Sequence, residues 1–248
     1  MKAVRLHAYG GPEQLIFDTD VPPPVVGDDS VLVEAAATSV NPIDWKIRSG
    51  ARQKDFPLKL PAILGKDVSG VVREVGVNVR TFTPGDRVLA LADATYAELV
   101  VVQGAVLTHV PDGCDLVDAA ALPLVVLTGE QLVRVAARGQ KGQTILVTGA
   151  LGSVGRAAVH TAKKMGMHVI AGVRSAQLAA AAALGVETVA IDDAAAIARL
   201  ASARYPGSST SFINPPTCSS TLVPGRCLGN ADSAISPAKW TSGGRGQF

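Results

Sequence analysis

The spacing of apolar positions changes once along the chain, near Pro123. Before it, short apolar and β-branched runs alternate with polar residues and end at turns. Met1–Leu6, Ser30–Ala37, Val68–Gly76 and Tyr96–Val102 each read as a strand. Thr83-Pro84-Gly85-Asp86 sets a turn ahead of Arg87-Val88-Leu89, because proline fixes φ and glycine frees it. Closely spaced strands of this kind predict a barrel or sandwich over residues 1–123.

After Pro123 the pattern becomes strand, helix, strand, helix. It predicts strands at 145–148, 168–173 and 187–191, with helices at 154–165, 176–184 and 194–203. Gly185 stops the second helix. This βαβαβ succession over residues 124–204 predicts one mononucleotide-binding half of a doubly wound parallel sheet. From Tyr205 to Phe248 the chain is rich in Ser, Gly and Pro and no period is sustained. Such a composition buries too little apolar surface to offset its ordering entropy, so this tail is expected to be mostly disordered. A complete dinucleotide fold needs a second half, and the tail does not read as one.

Composition narrows the function classes. Hydrophobic residues make up 48% of the chain, yet charges interrupt every long apolar run, so no membrane partner is expected. The start reads as a strand, not as a secretory signal. A net charge of +2 without a basic stripe argues against nucleic acid. Cys114, Cys218 and Cys227 are odd in number and widely spaced, which argues against a disulfide scaffold and for a reduced cytoplasm.

The most informative segment is Thr144-Ile145-Leu146-Val147-Thr148-Gly149-Ala150-Leu151-Gly152-Ser153-Val154-Gly155, a strand, a glycine turn and a helix start. Backbone N–H groups there, with the positive end of the helix dipole, suit a pyrophosphate. Gly152 lets backbone approach a phosphate and Gly155 lets the helix pack on the strand. Ala150 stands where the first glycine of G-x-G-x-x-G usually falls. A tight βα turn that binds nothing gives the same pattern.

Five motifs in register carry a resemblance. They are Ser39-Val40-Asn41-Pro42-Ile43-Asp44-Trp45-Lys46-Ile47-Arg48-Ser49-Gly50, Pro61–Val72 (with Gly65-Lys66-Asp67), Pro84–Val88, Ala119–Leu124, and the glycine turn. Residues 1–200 resemble the medium-chain dehydrogenase/reductase superfamily, in its zinc-independent quinone oxidoreductase branch. The resemblance implies an α/β chain with an N-terminal GroES-like β-barrel and a Rossmann domain, the latter incomplete here, with the active site in the cleft between them. The tail has no counterpart in the family. Zinc-dependent relatives carry a cysteine near Asn41 and Gly-His-Glu at Gly65-Lys66-Asp67. A charged lysine cannot ligate zinc, and His7, His109, His160 and His168 lack metal spacing, so no metal is expected.

Cofactor choice turns on the end of the second Rossmann strand. An acid there would select NAD, whereas Val173-Arg174-Ser175 offers a guanidinium fork and a hydroxyl that suit a 2′-phosphate, so NADPH is expected. A solvated Arg174 would leave the choice open. The resemblance places Asn41 and Asp44 near nicotinamide and substrate, with Asn41 donating to a carbonyl and Asp44 orienting neighbours or relaying a proton. Asn41-Pro42 followed by Asp44 also makes a turn and cap. Lys46 supplies a positive charge there or is an exposed strand-side lysine. Thr128 corresponds to a family threonine at the nicotinamide end; without the family it is a helix threonine. The cofactor set is thus Thr128, Gly149, Ala150, Gly152, Ser153, Val154, Gly155, Arg174 and Ser175. The implied partner is a small electrophile such as a quinone or enone, and the resemblance admits a homodimer. An oxidoreductase and an inactive nucleotide-binding remnant both fit this sequence.

Overall fold

The computed structural model describes residues 1–202 and 211–213. Two compact units divide the chain, the first Met1–Leu124 and the second from Val125 onward.

The first unit is built on antiparallel strands. In chain order it contains β1 (Ala3–Leu6), β2 (Leu15–Asp18), β3 (Ser30–Thr38), helix α1 (Pro42–Arg48), β4 (Ala62–Ile63), β5 (Asp67–Val75), β6 (Arg87–Leu91), β7 (Leu99–Gln103), β8 (Leu107–His109) and the short α2 (Leu116–Ala119). Five strands pair in the order β7-β3-β5-β6-β8, and three in the order β2-β1-β4. The Val4 amide donates to the Tyr96 carbonyl at 2.8 Å, which ties the small sheet to the segment entering β7. Alternation in the strands explains the core: Val31, Val33, Val68, Val72, Val88, Val100 and Val102 point to one interior with Phe82 and Leu107. The Pro84-Gly85 turn forms as expected, with Gly85 at φ 98° and the Asp86 amide donating to the Thr83 carbonyl.

The second unit is a parallel sheet with helices. Its elements are α3 (Pro123–Gln131, which begins in the first unit and continues as a π turn at Leu132–Ala136), β9 (Thr144–Thr148), α4 (Ser153–Lys164), β10 (His168–Val173), α5 (Leu178–Ala181), β11 (Glu187–Ala190), α6 (Ala194–Ser202) and β12 (Ser211–Ile213). All four strands run parallel in the order β11-β10-β9-β12. Ile145, Val147, Val169, Ala171 and Val173 pack with Ala158, Val159 and Ala162 of α4 into one core. Full burial of each of the valines and of Ile145 contributes about 1.5–3 kcal/mol, which is why the continuous apolar runs of β9 and β10 suit central strands.

Three features differ from the sequence-based expectations. Strand β12 lies in the tail, where composition predicts none. Its three residues pair Ser211 with Ile145, Phe212 with Leu146 and Ile213 with Val147, too short a run to show a period. The rest of the tail expectation lies outside the described residues. The helix expected at 176–184 is broken into a 3-10 turn, the single-turn α5 and a second 3-10 turn; its alanine run supplies only Ala181 as a buried anchor. Residues 42–48, which carry Lys46, form α1 and not a strand.

The helical stretch Leu116–Ala136 has a mean hydropathy of 1.6 and is long and apolar enough to cross a membrane by length and composition. It is one third buried and is divided at Pro123 into α2 and α3.

Candidate functional site

In the second unit the order β11-β10-β9-β12 is 3-2-1-4. The chain departs from β9 in one direction to β10 and β11, then returns to the other side for β12. A crevice at the carboxyl end of the strands where this reversal occurs is where doubly wound sheets bind ligands. The glycine turn leaves β9 at that point. Gly149 adopts φ 60°, and the Gly152 amide donates to its carbonyl at 2.9 Å. Gly152 is the N-cap of α4 and offers no side-chain cap, so the first-turn amides at Ser153, Val154 and Gly155 receive none from it. Gly152 and Ser153 are exposed, whereas Ala150 and Gly155 are buried.

Gly155 is required by packing. A Cβ there would stand 2.2 Å from the Gly149 carbonyl oxygen and 2.8 Å from the Ala150 Cα. At Gly152 the nearest atom would be 3.3 Å away. The Arg156 Nε donates to the Leu151 carbonyl at 2.9 Å, bracing the turn and adding a positive charge beside it. Gly129 plays a similar part on α3: a Cβ there would meet the Ala157 Cβ at 2.6 Å and the Val154 carbonyl oxygen at 2.8 Å. Thr128, the residue before this crossing, is half-buried. The bracing role of Arg156 and the packing role of Gly129 are not evident from sequence alone.

The far edge of this site is the end of β10. The Ile191 amide donates to the Val173 carbonyl at 2.9 Å, so the residues after β11 lie beside those after β10. Arg174 and Ser175 are exposed there. Ser175 does not stand free: its amide and its hydroxyl both donate to Asp192 Oδ1, each at 2.8 Å. The Ser175 hydroxyl first, then its amide, hold the Asp192 carboxyl below its usual range, with Arg174 adding to the effect. The sequence signal for Asp192 was an acid after the third strand, not the second.

The first unit holds a separate buried polar cluster. Asn41 caps the start of α1 in position but not with its side chain. Its Nδ2 donates to Ser39 Oγ at 2.9 Å and to Asp67 Oδ2 at 2.7 Å. Both amide hydrogens are therefore committed inside the protein, and donation to a substrate carbonyl would have to displace one of these bonds. Asp44 does act as a cap, since its Oδ2 accepts the Asn41 amide at 2.7 Å. The turn-and-cap alternative is thus present for Asp44. Fully buried Asp67 also accepts the Ser39 hydroxyl and the Leu124 amide, the latter at 2.7 Å. The Thr38 hydroxyl donates to the Asp67 carbonyl at 2.6 Å and meets the Thr95 hydroxyl at 3.0 Å.

Asp44 Oδ1 and the Tyr96 hydroxyl are buried with no hydrogen-bond partner among the described residues. They lie near enough to shift each other's titration without the geometry of a full hydrogen bond. Burial pushes the Asp44 carboxyl up, against the Asn41 amide, the Tyr96 hydroxyl and the Lys66 charge. Burial, then the Asp44 charge, pushes the Tyr96 phenol up. Lys46, on α1, is half-buried with its Nζ 5.9 Å from the Trp45 ring centroid. Lys66 pairs with Asp93 and lies 5.5 Å from the Phe56 ring centroid.

Among the described residues no group of three or more His, Cys, Asp or Glu is placed to hold a metal. His7, His109 and His168 each face a carboxylate, at 3.0, 3.4 and 3.0 Å. Cys114 is a free thiol; Cys218 and Cys227 lie outside the described residues.

Residues 27–112 match the alcohol dehydrogenase GroES-like domain family. The chain is 35% identical over 172 residues to the quinone oxidoreductase of Pongo abelii, covering 68% of this chain and 52% of that protein. The chain thus spans about half the length of the curated relatives it matches. Among solved structures it is similar to the quinone oxidoreductase from Coxiella burnetii, with a TM-score of 0.70 and 31% identity, covering 82% of this chain and 65% of that one. It is also similar to a mycobacterial protein complexed with NADPH, with a TM-score of 0.66 and 31% identity, covering 81% and 62%.

Proposed function

The chain belongs to the medium-chain dehydrogenase/reductase superfamily, in its quinone oxidoreductase branch, and on that premise we propose that it is an NADPH-dependent oxidoreductase acting on quinones or activated alkenes and carbonyls without zinc. One observation carries the cofactor assignment: an uncapped helix start follows a glycine turn at the switch point of a 3-2-1-4 parallel sheet. The NADPH complex of the mycobacterial relative supports a nicotinamide cofactor.

The chain's own residues fit that group. The amides of Ser153, Val154 and Gly155 would hold the pyrophosphate, with Gly152 letting its backbone approach, where a helix start favours an anion by about 0.3–1 kcal/mol. Arg174 would meet the 2′-phosphate with a bidentate guanidinium. Thr128, next to the Gly129 crossing, would orient the nicotinamide end. When bound, the nicotinamide supplies a hydride to the acceptor.

The buried cluster of the first unit would serve the acceptor. Asn41 acts there first as a positioning residue, because its amide organises Ser39 and Asp67. Asp44 is the proton-holding group: burial keeps its carboxyl protonated to higher pH than an exposed aspartate, and its unpartnered Oδ1 is the atom that would hold the proton. Lysine at position 66, already paired with Asp93, takes the place of a zinc ligand with an ammonium that cannot coordinate.

Purified chain is mixed with NADPH and a panel of quinones, enones and aldehydes, and loss of NADPH absorbance is followed. Turnover with at least one acceptor is the expected result. Saturable NADPH binding with no turnover on any acceptor would instead identify an inactive nucleotide-binding remnant.

A further inference from the structure

We infer that Asp192 is a specificity-determining residue for the nucleotide: by holding both donors of Ser175 beside Arg174, it restrains the preference for NADPH over NADH. The inference deepens the cofactor assignment above and rests on it.

The geometry is local to the ends of β10 and β11. The bond from the Ile191 amide to the Val173 carbonyl fixes these two strand ends side by side. Asp192 thereby reaches across to residue 175, and its Oδ1 accepts from the Ser175 amide and hydroxyl at 2.8 Å each. A serine has one amide proton and one hydroxyl proton, so Ser175 has no donor left for a 2′-phosphate. Such a phosphate would also face the Asp192 carboxylate, a like charge. Arg174 alone then favours it. A ribose 2′-hydroxyl meets the opposite situation, because it is a donor and Asp192 Oδ2 is an acceptor. In doubly wound folds the acid that selects the unphosphorylated ribose stands at the end of the second strand. Here an acid reaches the same neighbourhood from the end of the third strand.

Asp192 and Ser175 are exposed, so solvent and salt screen the effect and limit it to a moderate ratio. Dissociation constants of NADPH and NADH are measured by nucleotide fluorescence on the full chain, at fixed low ionic strength. The proteins compared are wild type, Asp192→Ala, Asp192→Asn and the double variant Asp192→Ala with Ser175→Ala. Asp192→Ala is expected to raise the NADPH-to-NADH affinity ratio about five- to tenfold, by removing the charge and releasing two donors. Asp192→Asn, which keeps an acceptor for Ser175 and loses the charge, should give an intermediate ratio. Removing the Ser175 hydroxyl in the Asp192→Ala background should return part of the gain.

An unchanged ratio in Asp192→Ala, with NADH binding retained as proof of an intact fold, overturns the inference. Should Asp192→Ala lose both nucleotides, the ratio in Asp192→Asn decides in the same way. Failure of wild type to bind either nucleotide overturns the underlying cofactor assignment, and the inference with it.

Discussion

Replacing Gly155 by alanine places a methyl group where the structure has none to spare. The added Cβ would stand 2.2 Å from the Gly149 carbonyl oxygen, 2.8 Å from the Ala150 Cα and 2.9 Å from the Gly149 carbonyl carbon. All three are backbone atoms of the glycine turn, so no side chain can rotate away. Relief requires α4 and the turn to separate by about 1 Å, in an interior packed at crystal-like density. Alanine regains about 1 kcal/mol of helix propensity over glycine, against an overpacking cost of about 1–3 kcal/mol or more. The clash with main chain puts this site at the upper end, for a net loss of about 2 kcal/mol. Gly152→Ala is the control, since its Cβ would stand 3.3 Å from the Gly149 carbonyl oxygen and φ is −71°. Urea unfolding and NADPH titration are run on both variants. Gly155→Ala should lower the unfolding midpoint and weaken NADPH at least tenfold, while Gly152→Ala keeps the midpoint near wild type. A Gly155→Ala protein with wild-type stability and wild-type affinity would refute the close-packed turn.

Other consequences are equally open to measurement. Asn41→Ala removes the donors to Ser39 and Asp67 and should cost about 2–4 kcal/mol in urea unfolding, since a hydrogen bond to a carboxylate contributes about 1.5–3 kcal/mol and one to a hydroxyl about 0.5–1.5 kcal/mol; a change within error would mean that Asn41 does not organise the cluster. Asp44 has a folded pKa above its unfolded value, so its contribution to stability is full below the unfolded value near 3.8 and is lost as pH rises through the folded one. The unfolding midpoint of Asp44→Asn, relative to wild type, should therefore rise with pH across that window and then level off; a flat difference would contradict the upward shift that burial gives this carboxyl. Gly129→Val forces α3 away from Ala157 and Val154, and calorimetry should show weaker NADPH binding with β-sheet circular dichroism retained.

Much of this architecture could be read from residue pattern alone. The β9 and β10 runs are continuous apolar stretches with a glycine turn between them, and they form where expected because both strands are central. The Pro84-Gly85 turn and the β3, β5 and β7 alternations were legible for the same local reason. Strand β12 was not, because three residues carry no period and its identity comes from pairing with β9. The glycines and Arg174 could be named as candidates from sequence because their chemistry is local. Its long-range partners were hidden. Asp192 acquires meaning only when β11 lies beside β10, and Asp67 only when β5 brings it to Asn41, 26 residues away in sequence. For Asn41, which the resemblance implies as a donor to a substrate carbonyl, the structure adds what the sequence could not show: its amide donates to Ser39 and Asp67.

The most direct test of the central claim is calorimetric titration of the full chain with NADPH, wild type beside Gly155→Ala. Saturable binding at a single site per chain, weakened at least tenfold in the variant, is the outcome that the glycine-turn site requires. Absence of saturable binding, or binding that Gly155→Ala leaves unchanged, would contradict it.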